Sequence, residues 1–143
     1  MDWKDCINYN KVKKVNRNPE QAHSLVELAN RRYESIERRK EHEYPQLLLE
    51  EYYETIKELI GAMLSLQGYK SYSHECLISF MKEFYPKTLT QSQLHLLDGL
   101  RKLRSDILYR GREIAEDYLE RNLSEIEQII TLLFGKIEQE MKK

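Results

Sequence analysis

The stretch PQLLLEEYYETIKELIGAMLSLQG, residues 45–68, decides the fold of this chain. Its apolar residues recur at intervals of three and four, which is the period of an α-helix and not of a strand. Pro45 suits a first helical position, and Gly68 suits the residue that ends a helix. The apolar face is the broadest in the chain, so we predict a helix at the centre of the fold. It comprises Leu49, Tyr52, Tyr53, Ile56, Leu59, Ile60, Met63 and Leu64.

The same helical period continues on the N-terminal side of this stretch. Asn18 followed by Pro19 and Gln21 predicts a helix start, and this helix should run to about Glu41. Residues 1–17 hold five Lys or Arg against two Asp and read as a basic arm that is a solvated tail. The sequence therefore predicts a basic N-terminal arm over residues 1–17 and one helical domain over residues 18–143.

Three further helices are predicted on the C-terminal side. Ser73 should cap a short helix that Pro86 stops. Thr90-Gln91-Ser92-Gln93 is a capping box that starts the next helix, which should end at Gly111. The last segment is helical from Arg112 onwards, and Ser124 with Glu127 predicts a break into a short and a long helix. The fold class is all-α, an up-and-down bundle of about five helices joined by short connections.

Composition limits the function classes. The formal net charge is -1, so overall charge favours no particular partner. The two cysteines, Cys6 and Cys76, lack metal-ligand spacing, which makes a disulfide scaffold or a zinc site unlikely. There is no signal-peptide pattern and no apolar run long enough to span a membrane, so we expect a cytoplasmic protein without a membrane partner.

The usual motifs of cofactor and metal chemistry are absent from the sequence. It contains no glycine-rich phosphate loop, no HExxH and no EF-hand loop, so no cofactor, no metal and no assigned catalytic residue is implied. Glu50, Glu51 and Glu54 lack the histidine that a di-iron bundle needs and indicate a solvated or salt-bridged face. The basic residues between Arg31 and Lys40 are interleaved with glutamates, which favours pairing on a solvated face over a groove for phosphates.

The segment from Arg101 to Arg112 holds five basic residues against one acid in an otherwise balanced chain. Arg104 falls on or beside the apolar stripe of its helix, where a guanidinium needs a partner. A carboxylate would make it a structural ion pair, and a phosphate would make it a binding residue. On composition alone the structural ion pair is favoured.

The ordered set of LIGAMLSLQGYKSYSHECL (residues 59–77) and LRKLRSDILYRG (residues 100–111) resembles the HEPN domain family. The resemblance covers roughly residues 20–140, and within the family the chain looks like the small stand-alone bacterial and archaeal members. It implies a helical bundle that forms homodimers, with an arginine and a histidine of each protomer meeting in an interface cleft. Many members are metal-independent ribonucleases, others bind nucleotides, and some act with a minimal nucleotidyltransferase as toxin and antitoxin.

Carried over residue by residue, Arg104 matches the motif arginine and Ser105 the polar position, while Tyr109 stands at the histidine position. An ordinary tyrosine titrates near 10 and is a poor general base, although it can donate a hydrogen bond or stack on a base. The leading hypothesis is a homodimeric module that binds a nucleotide or RNA without efficient cleavage. Its expected site residues are Arg101, Arg104, Ser105, Tyr109 and Arg110.

Two alternatives stay open at this point. The first is an enzyme, a metal-independent endoribonuclease of the toxin type in which His74 moves the proton. The second is an antitoxin-like partner of a nucleotidyltransferase, whose arginines form structural ion pairs. His74 is otherwise expected to be structural, and His23, His42 and His95 are expected at or near the surface.

Overall fold

The computed structural model describes residues 1–110 and 112–143, with side chains described for residues 1–106 and 116–143. Within these residues the chain forms helices and one small sheet. The elements, in chain order, are α1 (Trp3–Asn8), β1 (Val12–Lys14), α2 (Pro19–Arg39), α3 (Pro45–Gln67), β2 (Tyr69–Ser71), α4 (Glu75–Phe84), α5 (Gln91–Arg110) and α6 (Arg112–Met141). The structure is thus mostly helical, as the sequence predicts, and the short sheet was not predicted.

Helix α3 lies at the centre of the core, which confirms the prediction from its broad apolar face. Its buried side chains occur on nearly every turn from Leu48 to Ser65. Helix α2 runs antiparallel to it, because contacts that advance along α2 step backwards along α3. The pairs are Gln21 with Ser65, Arg32 with Glu58, and Arg39 with Glu51. Helices α5 and α6 are antiparallel for the same reason, through Gln93 with Glu125 and Leu96 with Tyr118.

Several predicted helix ends are confirmed by their hydrogen bonds. The Asn18 side chain accepts from the Gln21 amide at 2.9 Å. Thr90 and Gln93 form the reciprocal capping box, with N–O distances of 2.9 and 3.0 Å. Gly68 ends α3 with φ of 81°, and a Cβ there would lie 2.8 Å from the Val15 carbonyl oxygen. Only glycine satisfies both requirements.

Two predictions about helix ends are wrong, and Gly111 lies outside the described residues. His74, not Ser73, precedes α4, and no side chain caps that helix. The Ser73 amide donates instead to Ser71 Oγ at 3.2 Å, so Ser73 belongs to a turn after β2. Helix α6 continues through Ser124 without a break. Its buried Leu119 and Ile126 on either side bind this region to the core, and packing overrides the capping signal.

The solvated tail predicted for residues 1–17 is wrong. Trp3, Cys6 and Val12 are buried, and the Trp3 ring lies 5.1 to 5.7 Å from the rings of Tyr69, Phe80 and Phe84. Strand β1 pairs antiparallel with β2. The N-terminal segment therefore packs against α4 and β2 as part of the fold.

The expectation about the cysteines is also corrected. Cys6 of α1 and Cys76 of α4 form a disulfide with a Cα–Cα distance of 6.1 Å. Sequence spacing gave no sign of it, because 70 residues separate the two and only packing brings them together. The disulfide joins the N-terminal segment covalently to the first turn of α4.

Candidate functional site

Arg104 projects from α5 towards α3. Leu97 and Leu100 are buried on the inner face of α5, and Arg104 lies one turn beyond Leu100 on the same side of the helix. Its Nη2 lies 2.8 Å from Glu54 Oε1 and 3.9 Å from Glu50 Oε1. Its guanidinium also lies 5.2 Å from the centre of the Tyr53 ring. Arg104 therefore has the carboxylate partner that its position beside the apolar stripe demands.

The guanidinium of Arg104 is incompletely satisfied. Its Nε is buried and has no hydrogen-bond partner among the described residues. The side chain keeps 28% of its exposure, so part of the fork still faces solvent. A buried donor without an acceptor costs about 1–3 kcal/mol, so Glu54 alone does not satisfy this guanidinium.

Arg101 lies one turn earlier and is held by its own helix. Its Nε and Nη2 lie 3.0 and 2.9 Å from Asp98 Oδ1, and Lys102 Nζ lies 3.1 Å from Asp98 Oδ2. Burial alone would raise the pKa of Asp98, but the hydrogen bonds from Lys102 and Arg101 outweigh it and lower that pKa below its ordinary value. Asp98 is thus a firm anionic anchor for both cations.

Of the other three predicted site residues, the structure describes the side chain of Ser105 alone. Ser105 is exposed, and its hydroxyl donates a long bond of 3.5 Å to the Arg101 carbonyl of the turn before it. The side chains of Tyr109 and Arg110 lie outside the described residues. The structure therefore brings together Arg101 and Arg104, and the other three predictions remain predictions.

His74, the residue that precedes α4, contacts Tyr53 of α3. Its Nδ1 lies 3.1 Å from the Tyr53 hydroxyl, and the two ring centres are 5.7 Å apart. Burial, followed by the charges of Lys57 and Arg104, lowers the pKa of His74. Burial also raises the pKa of Tyr53 to about 12, although Arg104 and Arg101 oppose the rise. Near neutral pH Tyr53 is therefore protonated and His74 neutral, and the two share one hydrogen bond between the Tyr53 hydroxyl and His74 Nδ1.

We call Tyr53, His74, Arg101 and Arg104 the arginine cluster. Tyr53, His74 and Arg101 line a cavity of about 10 Å³, whose remaining wall is mostly apolar side chains of α3, α4 and α5. This space fits roughly one water molecule. A larger ligand must therefore lie on the surface above the cluster.

The basic residues of α2 form ion pairs, but not chiefly the ones that the sequence suggested. Arg39 does pair with Glu43 four residues on, at 2.8 Å. Arg39 also pairs with Glu51 of α3 at 2.7 Å. Arg32 Nε and Nη2 donate to the two carboxylate oxygens of Glu58 of α3, at 3.1 and 3.0 Å. Glu58 is only 8% exposed. Glu51 and Glu54 belong to the face of α3 that was predicted to be solvated or salt-bridged, and Glu58, one turn further on, extends it to an acidic row of three.

Other candidate chemistry is not supported within the described part of the chain. His23, His42 and His95 are exposed, as expected. No group of three or more His, Cys, Asp or Glu among the described residues is arranged to hold a metal ion. No described helix is both long enough and apolar enough to cross a membrane.

Comparison with known proteins adds no identification. No protein-family model, no curated protein and no solved structure matches this chain.

Proposed function

We propose that this protein is a HEPN-like module that binds a nucleotide or RNA at an arginine-lined cleft of a homodimer, without efficient RNA cleavage. The observation that carries the proposal is the state of Arg104. Its Nε is buried without an acceptor, and its charge is only partly covered by Glu54. A phosphate can approach the exposed part of this side chain, whose planar guanidinium suits phosphate geometry.

The surroundings of Arg104 support an anionic ligand. Four cations lie in this region, against the three carboxylates Glu50, Glu54 and Asp98; they are Lys57, Arg101, Lys102 and Arg104. His74 lies beside these cations, and its hydrogen bond with Tyr53 fixes the orientation of its ring. Base contacts fall to Tyr109 in this proposal, which stands where the family motif has its proton-transferring histidine.

The proposal requires the homodimer because the cavity of the single chain is small. At about 10 Å³ the space beside Arg101 cannot enclose a base or a ribose. Ligand sites normally have several hundred Å³. A second protomer placed over the arginine cluster supplies the missing wall, as in the family that the sequence resembles.

A second candidate function rests on the same ion pair. The 2.8 Å contact between Arg104 and Glu54 is what a structural role for the arginine requires. In that case the protein is an antitoxin-like interaction partner, for which a minimal nucleotidyltransferase is the proposed partner.

The test compares wild type with Arg104→Ala in RNA and nucleotide binding, in RNA cleavage with and without chelator, and in melting temperature. Arg121→Ala is the matched control, since Arg121 also pairs with a carboxylate at 3.0 Å but is 67% exposed. We expect no cleavage by wild type and binding at least about tenfold weaker in Arg104→Ala, which is about 1.4 kcal/mol. Unfolding should lose only about 1 kcal/mol, because the pair is partly solvated.

The other outcomes each select a different function. Unchanged binding with a loss of several kcal/mol in stability would make Arg104 a structural ion and favour the antitoxin-like partner. Cleavage that persists in chelator and disappears in Arg104→Ala would make the protein a ribonuclease, with His74 the residue to substitute next. A monomer in light scattering at micromolar concentration would contradict the homodimer.

A further inference from the structure

The two-stranded sheet presents a basic outer face. Strand β1 pairs with β2 through Val12 with Ser71, Lys13 with Lys70, and Lys14 with Tyr69. The Tyr72 amide donates to the Lys11 carbonyl at 2.8 Å, which extends the pairing by one residue. Side chains alternate between the faces of a sheet, and Val12 is buried. The outer face therefore carries Lys11, Lys13, Lys70 and Tyr72, which we call the basic face.

The positions of the lysines on this face destabilise the strand pair. Lys13 and Lys70 lie directly opposite each other, and like charges in that position destabilise a strand pair. Residues 6–19 contain four cations and no acid. Among the described residues, no carboxylate oxygen lies within the 4.0 Å salt-bridge distance of Lys11, Lys13 or Lys70. These charges are therefore concentrated without an internal counterion.

A groove continues from the basic face. It has a volume of about 590 Å³ and is lined by Lys70 and Val15 at the sheet end and by Lys57 and His74 at the other. The rest of its lining mixes apolar side chains with polar ones such as Asn16, and it includes Glu58, whose carboxylate is paired with Arg32 at 3.0 Å. A groove of this volume has the size of a ligand site and joins the sheet to His74 of the arginine cluster.

We propose that the basic face and this groove bind the sugar–phosphate backbone of single-stranded nucleic acid. The lysines neutralise phosphates. Tyr72 is 60% exposed, with Lys70 Nζ 5.5 Å from its ring centre, so a base can stack on the ring face that Lys70 leaves open. A concave channel follows a flexible chain, whereas a flat bilayer surface does not enter it. This surface requires neither Arg101 nor Arg104, so it goes beyond the proposed function of the arginine cluster.

The experiment measures binding of a fluorescein-labelled oligouridylate and of the matching oligothymidylate by anisotropy, over a series of salt concentrations. The variant is Lys13→Gln/Lys70→Gln, and the control with the same change in charge is Lys82→Gln/Lys87→Gln, at two exposed lysines outside the sheet and groove. Each phosphate contact on a single strand contributes roughly 0.7 to the slope of log Kobs against log salt. We expect the variant to lose about 1.4 of that slope and to bind severalfold more weakly at low salt.

Folding is checked by the melting temperature, which should not fall in the variant because a like-charge pair is removed. Wild-type affinity and salt slope in Lys13→Gln/Lys70→Gln would overturn the proposal, as would an equal loss in the control pair. Binding to vesicles containing phosphatidylserine but to neither oligonucleotide would overturn it in favour of a membrane. Arg104→Ala in the same assay tests the arginine cluster separately, since unchanged binding there leaves the basic face intact. Preference for one oligonucleotide supports the proposal and identifies RNA or DNA as the ligand.

Discussion

The acidic row on α3 and the basic face of the β1–β2 sheet differ in whether their charges are paired within the protein. Glu51, Glu54 and Glu58 each receive an arginine from a neighbouring helix, at 2.7, 2.8 and 3.0 Å. Lys13 and Lys70 instead face each other across two strands, without a carboxylate within salt-bridge distance among the described residues. In a chain of net charge -1, Arg32, Arg39 and Arg104 join neighbouring helices through these carboxylates, whereas Lys13 and Lys70 have no such partner among the described residues.

The choice of side chain fits this division. Arginine predominates in the contacts between helices, where its planar fork makes two parallel bonds, as Arg32 does with Glu58. Lysine predominates in the sheet, and a lysine ammonium can bind phosphate as a point charge. Arg104 lies between the two regimes, since it is paired with Glu54 yet keeps a buried Nε without an acceptor.

The largest expected effect comes from removing the disulfide that joins α1, in the N-terminal segment, to α4. Cys6→Ala/Cys76→Ala should lower the free energy of unfolding by up to about 4 kcal/mol, because the entropy of a loop closed over a sequence separation of 70 returns to the unfolded chain. The measurement is denaturant unfolding of wild type and variant. If residues 1–17 stay packed only through this bond, salt-dependent binding of nucleic acid should weaken as well.

A thiol reductant provides the control for that prediction. It should lower the stability of wild type towards that of the variant and leave the variant unchanged. Equal stability of wild type with and without reductant, with both cysteines found as free thiols by mass, would show that the disulfide does not form.

The next largest effect concerns the charge pair between α2 and α3. Arg32→Ala leaves Glu58, which is 8% exposed, without its partner, and should cost about 2–3 kcal/mol of unfolding free energy. Arg121→Ala removes a pair in which both side chains are 67% exposed and should change stability by less than about 0.5 kcal/mol. Thermal and denaturant unfolding of both variants measures the difference. Equal losses would mean that the pairing on α3 is no more structural than a surface salt bridge.

Much of the helical domain could be predicted because its signals are local. The Asn18 cap, the Thr90–Gln93 capping box and the Gly68 end each depend on residues within one turn. The apolar period of α3 likewise predicted its central position. The break expected at Ser124 failed because burial of Leu119 and Ile126 outweighed a local capping preference.

The N-terminal region could not be predicted because its stability is not local. Trp3, Cys6 and Val12 read as isolated apolar residues in a basic stretch until α4 and β2 are placed beside them. Of the predicted site, Arg104 was found through its conflict with the apolar stripe, and its partner Glu54 could not be chosen from sequence among several glutamates. His74 entered through its position before the short helix, while its contact with Tyr53 depends on the packing of α3 against α4.

The smallest effect concerns His74, which lines both the cavity of the arginine cluster and the groove of the basic face. Burial and the charges of Lys57 and Arg104 hold its pKa below the ordinary 6.5, so Lys57→Gln should raise that pKa. Lys82→Gln is the control. NMR titration of the imidazole measures both.

The sign of the stability effect follows from the lowered pKa. Above pH 6.5 the imidazole is neutral in the folded and the unfolded chain, and it adds nothing to the pH dependence. As the pH falls through 6.5, the unfolded chain takes up the proton first, so stability decreases until the folded protein is protonated too. His74→Asn should flatten this acid limb of the stability curve. A wild-type His74 pKa at or above 6.5 would show that burial and the charges of Lys57 and Arg104 do not lower it.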